Sequence, residues 1–253
     1  MSIYKYRCSP LLSIKYLHCQ HREKPDVRST RRTASRAAVR GGRRRRAAHT
    51  APYHHGSLRE AMLEAAERIL ERDGIAGLTL RAAAREAGVS HAAPKNHFGD
   101  LRGLLSELAA VGFARFGAAL VADTREGDTT KARLAAIGHG YVTFAQQNPG
   151  LFLLMFRSER LDFSRPALRA AGEAAFGVLA GTLGSRGPYQ APLTLSQAAR
   201  ITAAWSLVHG FAMLMLDGRL KPLIARMPGG TDEIALLDAI LNGPTAQSSW
   251  LEI

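Results

Sequence analysis

The sequence has almost no cysteine: Cys8 and Cys19 are the only two among 253 residues, and both lie in the first 52. A disulfide framework or a cysteine-based metal site therefore has no ligands in the rest of the chain, which favours a reducing cytoplasm. No uninterrupted apolar run approaches the roughly 18 residues that a membrane-spanning helix needs. The N-terminus also lacks the apolar core of a secretory signal. We expect a soluble, cytoplasmic protein without metal or cofactor.

Catalytic motifs are also missing. The sequence contains no nucleophile elbow, no phosphate-binding glycine loop and no cysteine–histidine cluster with metal-ligand spacing. His54 and His55 are adjacent rather than four residues apart, so one helix face cannot present both to a metal. We therefore predict that the protein is not an enzyme.

Positive charge is concentrated at the N-terminus. Residues 1–52 contain 14 Lys or Arg and two acids, so they carry +12 of the formal net charge of +13. The remaining chain is nearly neutral. The basicity of the whole protein is therefore weak evidence for how a folded domain binds nucleic acid. Low complexity predicts that residues 1–52 are a disordered extension.

Three interpretations of the arginine run Arg43–Arg46 stay open. It is a flexible arm that contacts phosphates or a minor groove, a solvated charge run without a role, or a segment that is not translated because the start codon lies downstream. The last two carry more weight than the first. Unchanged DNA affinity and salt dependence in a protein that starts at Pro52 would exclude the arm.

The chain is rich in alanine, leucine and arginine and has few β-branched runs, which predicts an all-α fold. Within it, Thr79–Phe98 has the spacing of a helix-turn-helix. Thr79 is a predicted N-cap, Gly88 suits the left-handed backbone of a sharp turn, and Ser90 is a predicted cap of the second helix. In this motif the first helix braces the second, which enters the DNA major groove. The alternative is that Thr79–Phe98 forms two core helices joined by a tight turn, which have the same spacing.

The chain divides into a head at residues 53–100, a helical body at residues 101–242 and a loose tail at 243–253. In the head, a capping box at Ser57 and Glu60 predicts the start of a helix that stops at Asp73-Gly74. Gly99-Asp100 predicts the cap of a helix of about twenty residues that links head and body.

Five more helices are predicted in the body. The first covers residues 134–147, and Asn148 is a predicted cap of the next, with Pro149 in its first turn and its end near Arg160. Another starts at Ser164-Arg165-Pro166. Residues 196–216 form the most apolar helix of the chain, which must be buried on several sides, and Thr231 begins the last helix.

The stretch from Leu58 to Leu105 resembles the DNA-binding domain of TetR-family (tetracycline-repressor-like) transcriptional regulators. The matching motifs occur in the right order: Gly77-Leu78-Thr79-Leu80-Arg81, Gly88-Val89-Ser90, Pro94, His97-Phe98 and Leu104-Leu105. The body resembles the C-terminal domain of a TetR subgroup named for its Trp-His-Gly signature, through Gly140-Tyr141-Val142, Asn148-Pro149-Gly150-Leu151-Phe152, Trp205 and His209-Gly210.

These resemblances imply a one-component transcriptional regulator. It would be a repressor that binds a palindromic operator as a homodimer and is released by an unknown small-molecule effector. The implied fold is all-α, with a three-helix helix-turn-helix head and a helical-bundle body for ligand binding and dimerisation. In the family, the last two helices of each subunit form a four-helix dimer interface, which fits the apolar helix at 196–216.

Candidate DNA contacts lie in the second helix of the motif and around the first. Side chains in its first two turns read base edges, and helix N-termini attract phosphates. The candidates are Thr79, Arg81, Ser90, His91, Ala92, Lys95, Asn96, His97 and Arg102. Two positions depart from the family pattern: Lys95 replaces a phosphate-contacting tyrosine, and Leu101 replaces a lysine, for which Arg102 is the nearest substitute.

Candidate effector contacts are apolar and aromatic side chains of the body, which favour an apolar or aromatic small molecule. They are Tyr141, Phe144, Phe152, Met155, Phe156, Phe176, Trp205, His209 and Met213. The alternative is that these residues are simply the core. Because of Lys95 and Leu101, a helical ligand-binding or interaction dimer with weak or non-specific DNA binding is a second functional hypothesis. A sequence-independent DNA binder that uses the arginine arm is a third.

Overall fold

The computed structural model describes residues 55–90, 93–183 and 192–243, and the regular structure within them is entirely helical. The predicted all-α fold is confirmed. The predictions for residues 1–52, including both cysteines, for His91 and Ala92, and for residues 244–253 lie outside the described residues. The helices are α1 (His55–Gly77), α2 (Leu80–Glu86), α3 (Ala93–Phe98), α4 (Leu101–Val121), α5 (Thr130–Gln147), α6 (Pro149–Met155), α7 (Pro166–Thr182), α8 (Leu195–Leu216), α9 (Lys221–Ile224) and α10 (Glu233–Asn242).

Helix α1 begins earlier than the capping box predicts. It begins at His55, so Ser57 lies inside the helix and the predicted start at Ser57 is wrong. A cap contributes only about 0.5–2 kcal/mol, and preceding residues extend a helix where their backbone allows it. The predicted stop is confirmed as a break in the helix, because Gly74 has φ 69° and ψ −178° before a last turn that ends at Gly77.

The first three helices pack around a small apolar core. The Thr79 hydroxyl accepts a hydrogen bond from the Ala82 N–H at 3.0 Å, which confirms the predicted cap of α2. Gly88, at φ 68°, turns the chain after α2, and Val89 packs half-buried against the core. Besides Pro94, the buried residues of this head are Leu58, Met62, Leu63, Ala65, Ala66, Ile69, Leu70, Leu78, Ala83, Ala84 and Phe98.

Helix α4 packs against α1, α3, α5, α6 and α7, so it joins the head to the body. Asp100 accepts a hydrogen bond from the Gly103 N–H at 2.8 Å, as predicted for the cap of this helix. Gly112 allows the close approach of α6, because a Cβ there would lie 2.8 Å from the sulfur of Met155. About half of the residues of this linking helix are buried, from Gly103 to Leu120.

Two boundaries in the body differ from the sequence-based expectation. Helix α5 begins at Thr130, about one turn before the predicted start at residue 134, because Thr129 caps it. Asn148 does not cap α6, as it was expected to do; its side-chain amide instead donates to the carbonyl of Phe144 at 3.1 Å.

A carboxylate from α1 bonds to the start of α6 instead. Glu71 accepts hydrogen bonds from the N–H groups of Gly150, at 3.0 Å, and Leu151, at 2.9 Å. A negative charge at a helix N-terminus also interacts favourably with the helix dipole. Helix α6 ends at Met155, and a separate 3-10 turn at Ser158–Arg160 follows where the sequence pattern predicts continued helix.

Helices α4 and α8 are long and apolar enough to cross a membrane by length and composition, so the expectation that no segment passes this test is wrong. Polar residues interrupt both sequences, but the average hydropathy over 18 residues is still high, at 1.6 and 1.3. Half of that α4 window is buried, as in a core helix of a soluble protein. Only 22% of the α8 window is buried, which leaves much of an apolar helix uncovered in the single chain.

Candidate functional site

Helix α3 buries one face and exposes the other. Pro94 and Phe98 are buried against the head, whereas Lys95, Asn96 and His97 are exposed. A polar face on a short helix that follows a sharp turn is the arrangement that major-groove recognition requires. Lys95 and Asn96 are exposed as predicted, whereas His97, expected to pack with Phe98, is exposed as well. The base or phosphate contacts of all three stay predictions.

The neighbouring candidates surround this helix. Ser90 is exposed and non-helical before the described start of α3, and His91 and Ala92 lie outside the described residues. Thr79 is exposed but uses its hydroxyl in the cap of α2, and Arg81 is exposed in the first turn of that helix. Contacts from Thr79 and Arg81 to phosphates stay predictions.

The first two residues of α4 turn towards the body. Leu101 packs half-buried against the core. The Arg102 guanidinium donates to the carbonyl of Leu161, from Nη2 at 2.6 Å and from Nε at 3.1 Å. Any phosphate contact by Arg102 would have to share or break these two bonds.

Sequence reasoning missed a charged cluster behind the recognition helix. Arg165 donates from Nη2 to the carbonyl of Phe98 at 3.1 Å, and its Nη1 lies 3.3 Å from a carboxylate oxygen of Glu107. Glu107 also pairs with Arg59 of α1. Arg165 and Phe98 are 67 residues apart, and no periodic pattern relates them. A similar ion pair joins Arg115 to Glu67 between α4 and α1.

A hydrogen-bonded chain of three rings lies inside the body. The Tyr141 oxygen is 2.8 Å from Nδ1 of His209 and 3.4 Å from Nε1 of Trp205. Because the indole can only donate, the Tyr141 hydroxyl accepts from Trp205. The tautomer of His209 sets which partner donates in its bond to Tyr141. Burial raises the pKa of the Tyr141 hydroxyl and lowers the pKa of His209, so both stay uncharged.

Phenylalanine rings surround this chain of hydrogen bonds. His209 lies 4.7 Å from the ring centroid of Phe156 and 5.8 Å from that of Phe152, and Trp205 lies 6.2 Å from that of Phe176. The structure thus brings six of the nine predicted effector residues into one aromatic cluster: Tyr141, Phe152, Phe156, Phe176, Trp205 and His209.

The remaining predicted residues lie beside the cluster, and one central ring was missed. Phe144 stacks edge-on against Phe116 of α4 at 5.2 Å, and Phe116 also lies 4.9 Å from Tyr141. Met155 is buried and Met213 is half-buried against the same core. Phe113 and Phe116 share a face of α4 by their spacing of three, which was the available signal.

Exposure separates the nine residues into two groups. Tyr141, Phe144, Phe152 and Met155 are each at most 5% exposed, as expected for core residues. The half-buried members are Phe156, Phe176, Trp205, His209 and Met213. A role in effector binding stays a prediction for both groups.

Comparisons with known proteins agree with this architecture. Residues 134–237 match the family model described as the tetracyclin repressor-like C-terminal domain. A solved structure of a protein with unknown function from Rhodococcus sp. RHA1 is 34% identical, with a TM-score of 0.59, covering 76% of this chain and 95% of that one. A TetR-family transcription regulator from Shewanella sp. PV-4 is 19% identical, with a TM-score of 0.53, covering 72% and 95%.

A curated regulator also matches part of the chain. The HTH-type transcriptional regulator YobS of Bacillus subtilis is 29% identical over 99 residues, which are 38% of this chain and 50% of YobS. The chain belongs to the TetR family. The chain spans about half the length of the curated relative that it matches. TetR-family regulators are non-enzymatic, in agreement with the prediction from the sequence.

Proposed function

We propose that this TetR-family regulator is a homodimeric repressor that binds a palindromic operator through α3 and is released by a small molecule. The observation that carries the proposal is the exposed polar face of α3, formed by Lys95, Asn96 and His97 over the buried Pro94 and Phe98. Two such helices in a symmetric dimer would enter successive major grooves about 34–36 Å apart or a multiple of that distance. A cytoplasmic location is part of the proposal.

The uncovered face of α8 supports the dimer. Its apolar window is 22% buried in the single chain, and Leu195 and Leu214 are 88% and 44% exposed. Leaving such a surface in water costs about 25 cal/mol per Å² of apolar area. We propose that a second copy of the chain covers α8, together with α10, around a two-fold axis.

The half-buried part of the aromatic cluster is the proposed effector site. Phe156, Phe176 and Trp205 line its outer side, and the imidazole of His209, bonded to Tyr141 through Nδ1, leaves Nε2 as a hydrogen-bonding group for a ligand. An apolar or aromatic molecule with one polar group matches this chemistry. The effector shifts the regulator towards a conformation that does not bind DNA. The size of this shift is set by the difference between the effector's affinities for that conformation and for the DNA-binding one.

The test is DNA binding by the full-length protein and by a protein that starts at Pro52. Both are titrated at two salt concentrations with the DNA upstream of the gene and with a scrambled duplex of the same composition. Tight binding of the shorter protein to the upstream DNA alone is expected. Equal, salt-sensitive binding of both duplexes by the full-length protein alone would move DNA binding to the arginine run and overturn the proposal.

A second candidate is a helical ligand-binding dimer with weak or non-specific DNA binding. It is favoured by the start of α4, where Leu101 packs on the core and the Arg102 guanidinium donates to the Leu161 carbonyl. Each missing phosphate contact lowers the slope of log affinity against log salt by about 0.9. This candidate is favoured if the full-length protein and the protein that starts at Pro52 both form dimers but do not bind the upstream DNA.

A further inference from the structure

The segment before α7 is fastened to the first two turns of α4. Besides the bonds from Arg102 to the Leu161 carbonyl, the Asp162 N–H donates to the Ser106 hydroxyl at 2.9 Å. That hydroxyl donates to the Arg102 carbonyl at 2.7 Å, and Ser106 is completely buried. We call residues 161–165, with these contacts, the clasp.

Arg165 extends the clasp from α7 to the recognition helix. It is the residue before α7, and its guanidinium reaches the carbonyl of Phe98, the last residue of α3, at 3.1 Å. The last carbonyls of a helix have no partner within the helix, so an arginine donor satisfies one of them. The positive charge of the guanidinium also interacts favourably with the negative end of the helix dipole. Glu107, at 3.3 Å, and Asp162, at 3.8 Å, hold the same guanidinium.

A glycine makes room for this contact. A Cβ on Gly103 would lie 1.9 Å from the Phe98 carbonyl oxygen and 2.6 Å from Nη2 of Arg165. Distances under 3.0 Å are not tolerated, and one of the two atoms is backbone, so any side chain at residue 103 would push Phe98 and Arg165 apart. The bond therefore depends on a gap in α4 that only glycine leaves.

We propose that Arg165 is a positioning residue for DNA recognition. It fixes the C-terminal end of α3 against α4 and α7, and it does so without contacting DNA. Helix α7 also packs closely on α4 where Gly117 faces Ala175, so a displacement of α7 is transmitted to α3 through the clasp. The inference rests on the proposed function, because it assigns the orientation of the helix that reads the operator.

The DNA test compares Arg165→Met and Arg165→Lys with the control Arg169→Met. Arg169 lies in the first turns of α7, is exposed, and pairs only loosely with Glu173 at 4.0 Å. We expect Arg165→Met to weaken binding to the upstream DNA by about 10- to 100-fold, the worth of a hydrogen bond from a charged group. Binding to scrambled DNA and its salt dependence should stay unchanged. Arg165→Lys should restore little, since a lysine lacks the planar fork that spans Phe98 and Glu107.

The salt dependence separates positioning from direct contact. A decrease of about 0.9 in the slope for scrambled DNA, restored by Arg165→Lys, would identify Arg165 as a phosphate contact and overturn the inference. Equal operator affinity in all three variants and the unsubstituted protein would overturn it as well.

Hydrogen exchange of the free protein gives a readout that does not need DNA. The Gly99 N–H donates to the Lys95 carbonyl at 2.9 Å and closes the last turn of α3. Arg165→Met should increase exchange at Phe98 and Gly99 while amides in the centre of α5 stay protected; Arg169→Met should leave both unchanged. Unaltered exchange at Phe98 and Gly99 would refute the positioning role. Increased exchange in a protein that binds neither duplex would instead confirm the clasp and reject the proposed function.

Discussion

The carboxylate of Glu71, on α1, bonds to the backbone N–H groups of Gly150 and Leu151 at the start of α6, at 3.0 and 2.9 Å. One side chain of the head therefore performs the capping that a residue of α6 would normally supply. Glu71→Ala should lower the free energy of unfolding by about 1–2 kcal/mol, because two N–H groups lose their partner. Urea denaturation measures the change, and Glu64→Ala, an exposed residue of the same helix, is the control. Equal effects of the two substitutions would contradict this role.

Close contact between α4 and α5 depends on Gly140. A Cβ there would lie 2.3 Å from the backbone oxygen of Ala119, which cannot rotate away. Gly140→Ala should therefore destabilise the fold by about 1–3 kcal/mol or more. The matched substitution Gly172→Ala, in α7, meets nothing within 4 Å and should stabilise the protein by about 0.4–1 kcal/mol through the unfolded chain. Thermal unfolding of the two variants should shift in opposite directions.

The buried chain of Trp205, Tyr141 and His209 makes stability depend on pH. Burial lowers the pKa of His209 below its ordinary value of 6.5, so the unfolded chain binds this proton more readily. The stabilisation is complete above pH 6.5 and is lost as the pH falls from there towards the lower pKa of the folded protein. Because the ring is only half-buried, we expect the loss to be small.

The comparison that isolates this effect is His209→Gln. Urea midpoints of both proteins, measured between about pH 7.5 and pH 5.5, should converge as the pH falls. A constant difference between the two would show that His209 does not contribute to the pH dependence.

The exposed face of α8 gives a test of the proposed dimer. Leu214 on α8 and Val121 at the end of α4 are both 44% exposed in the single chain. Leu214→Glu should produce monomers, since it places a charge in the apolar interface at a cost of several kcal/mol. Val121→Glu should stay dimeric. Sedimentation velocity distinguishes the two states, and a dimeric Leu214→Glu would exclude this part of α8 from the interface.

Local signals in the sequence predicted local structure well. The cap at Thr79, the turn at Gly88 and the cap at Asp100 all depend on neighbouring residues, and each is present. The start of α1 at Ser57 was wrong because several nearby residues can begin a helix at similar cost. The spacing of four between Trp205 and His209 likewise predicts that the two share a helix face, and both belong to the aromatic cluster.

Long-range contacts were not predictable in the same way. Asn148 follows the local rule for a cap, but Glu71, from a helix 79 residues earlier, holds the N–H groups of α6. The position of Arg102 in the sequence predicts a phosphate contact, whereas in the structure its guanidinium donates to the Leu161 carbonyl. Polar side chains with several rotatable bonds choose partners that only the tertiary structure brings near, so their roles cannot be read from spacing.

The uncovered apolar face of α8 ties the fold of the proposed dimer to its own abundance. By mass action, dilution separates a dimer whose subunits bury this face only against each other. Each subunit then loses stability, and the two recognition helices no longer bind DNA together. Freshly made subunits at low concentration would then be more open to proteases than the established pool. The regulator would acquire a threshold concentration, set by one helix, below which its genes escape control.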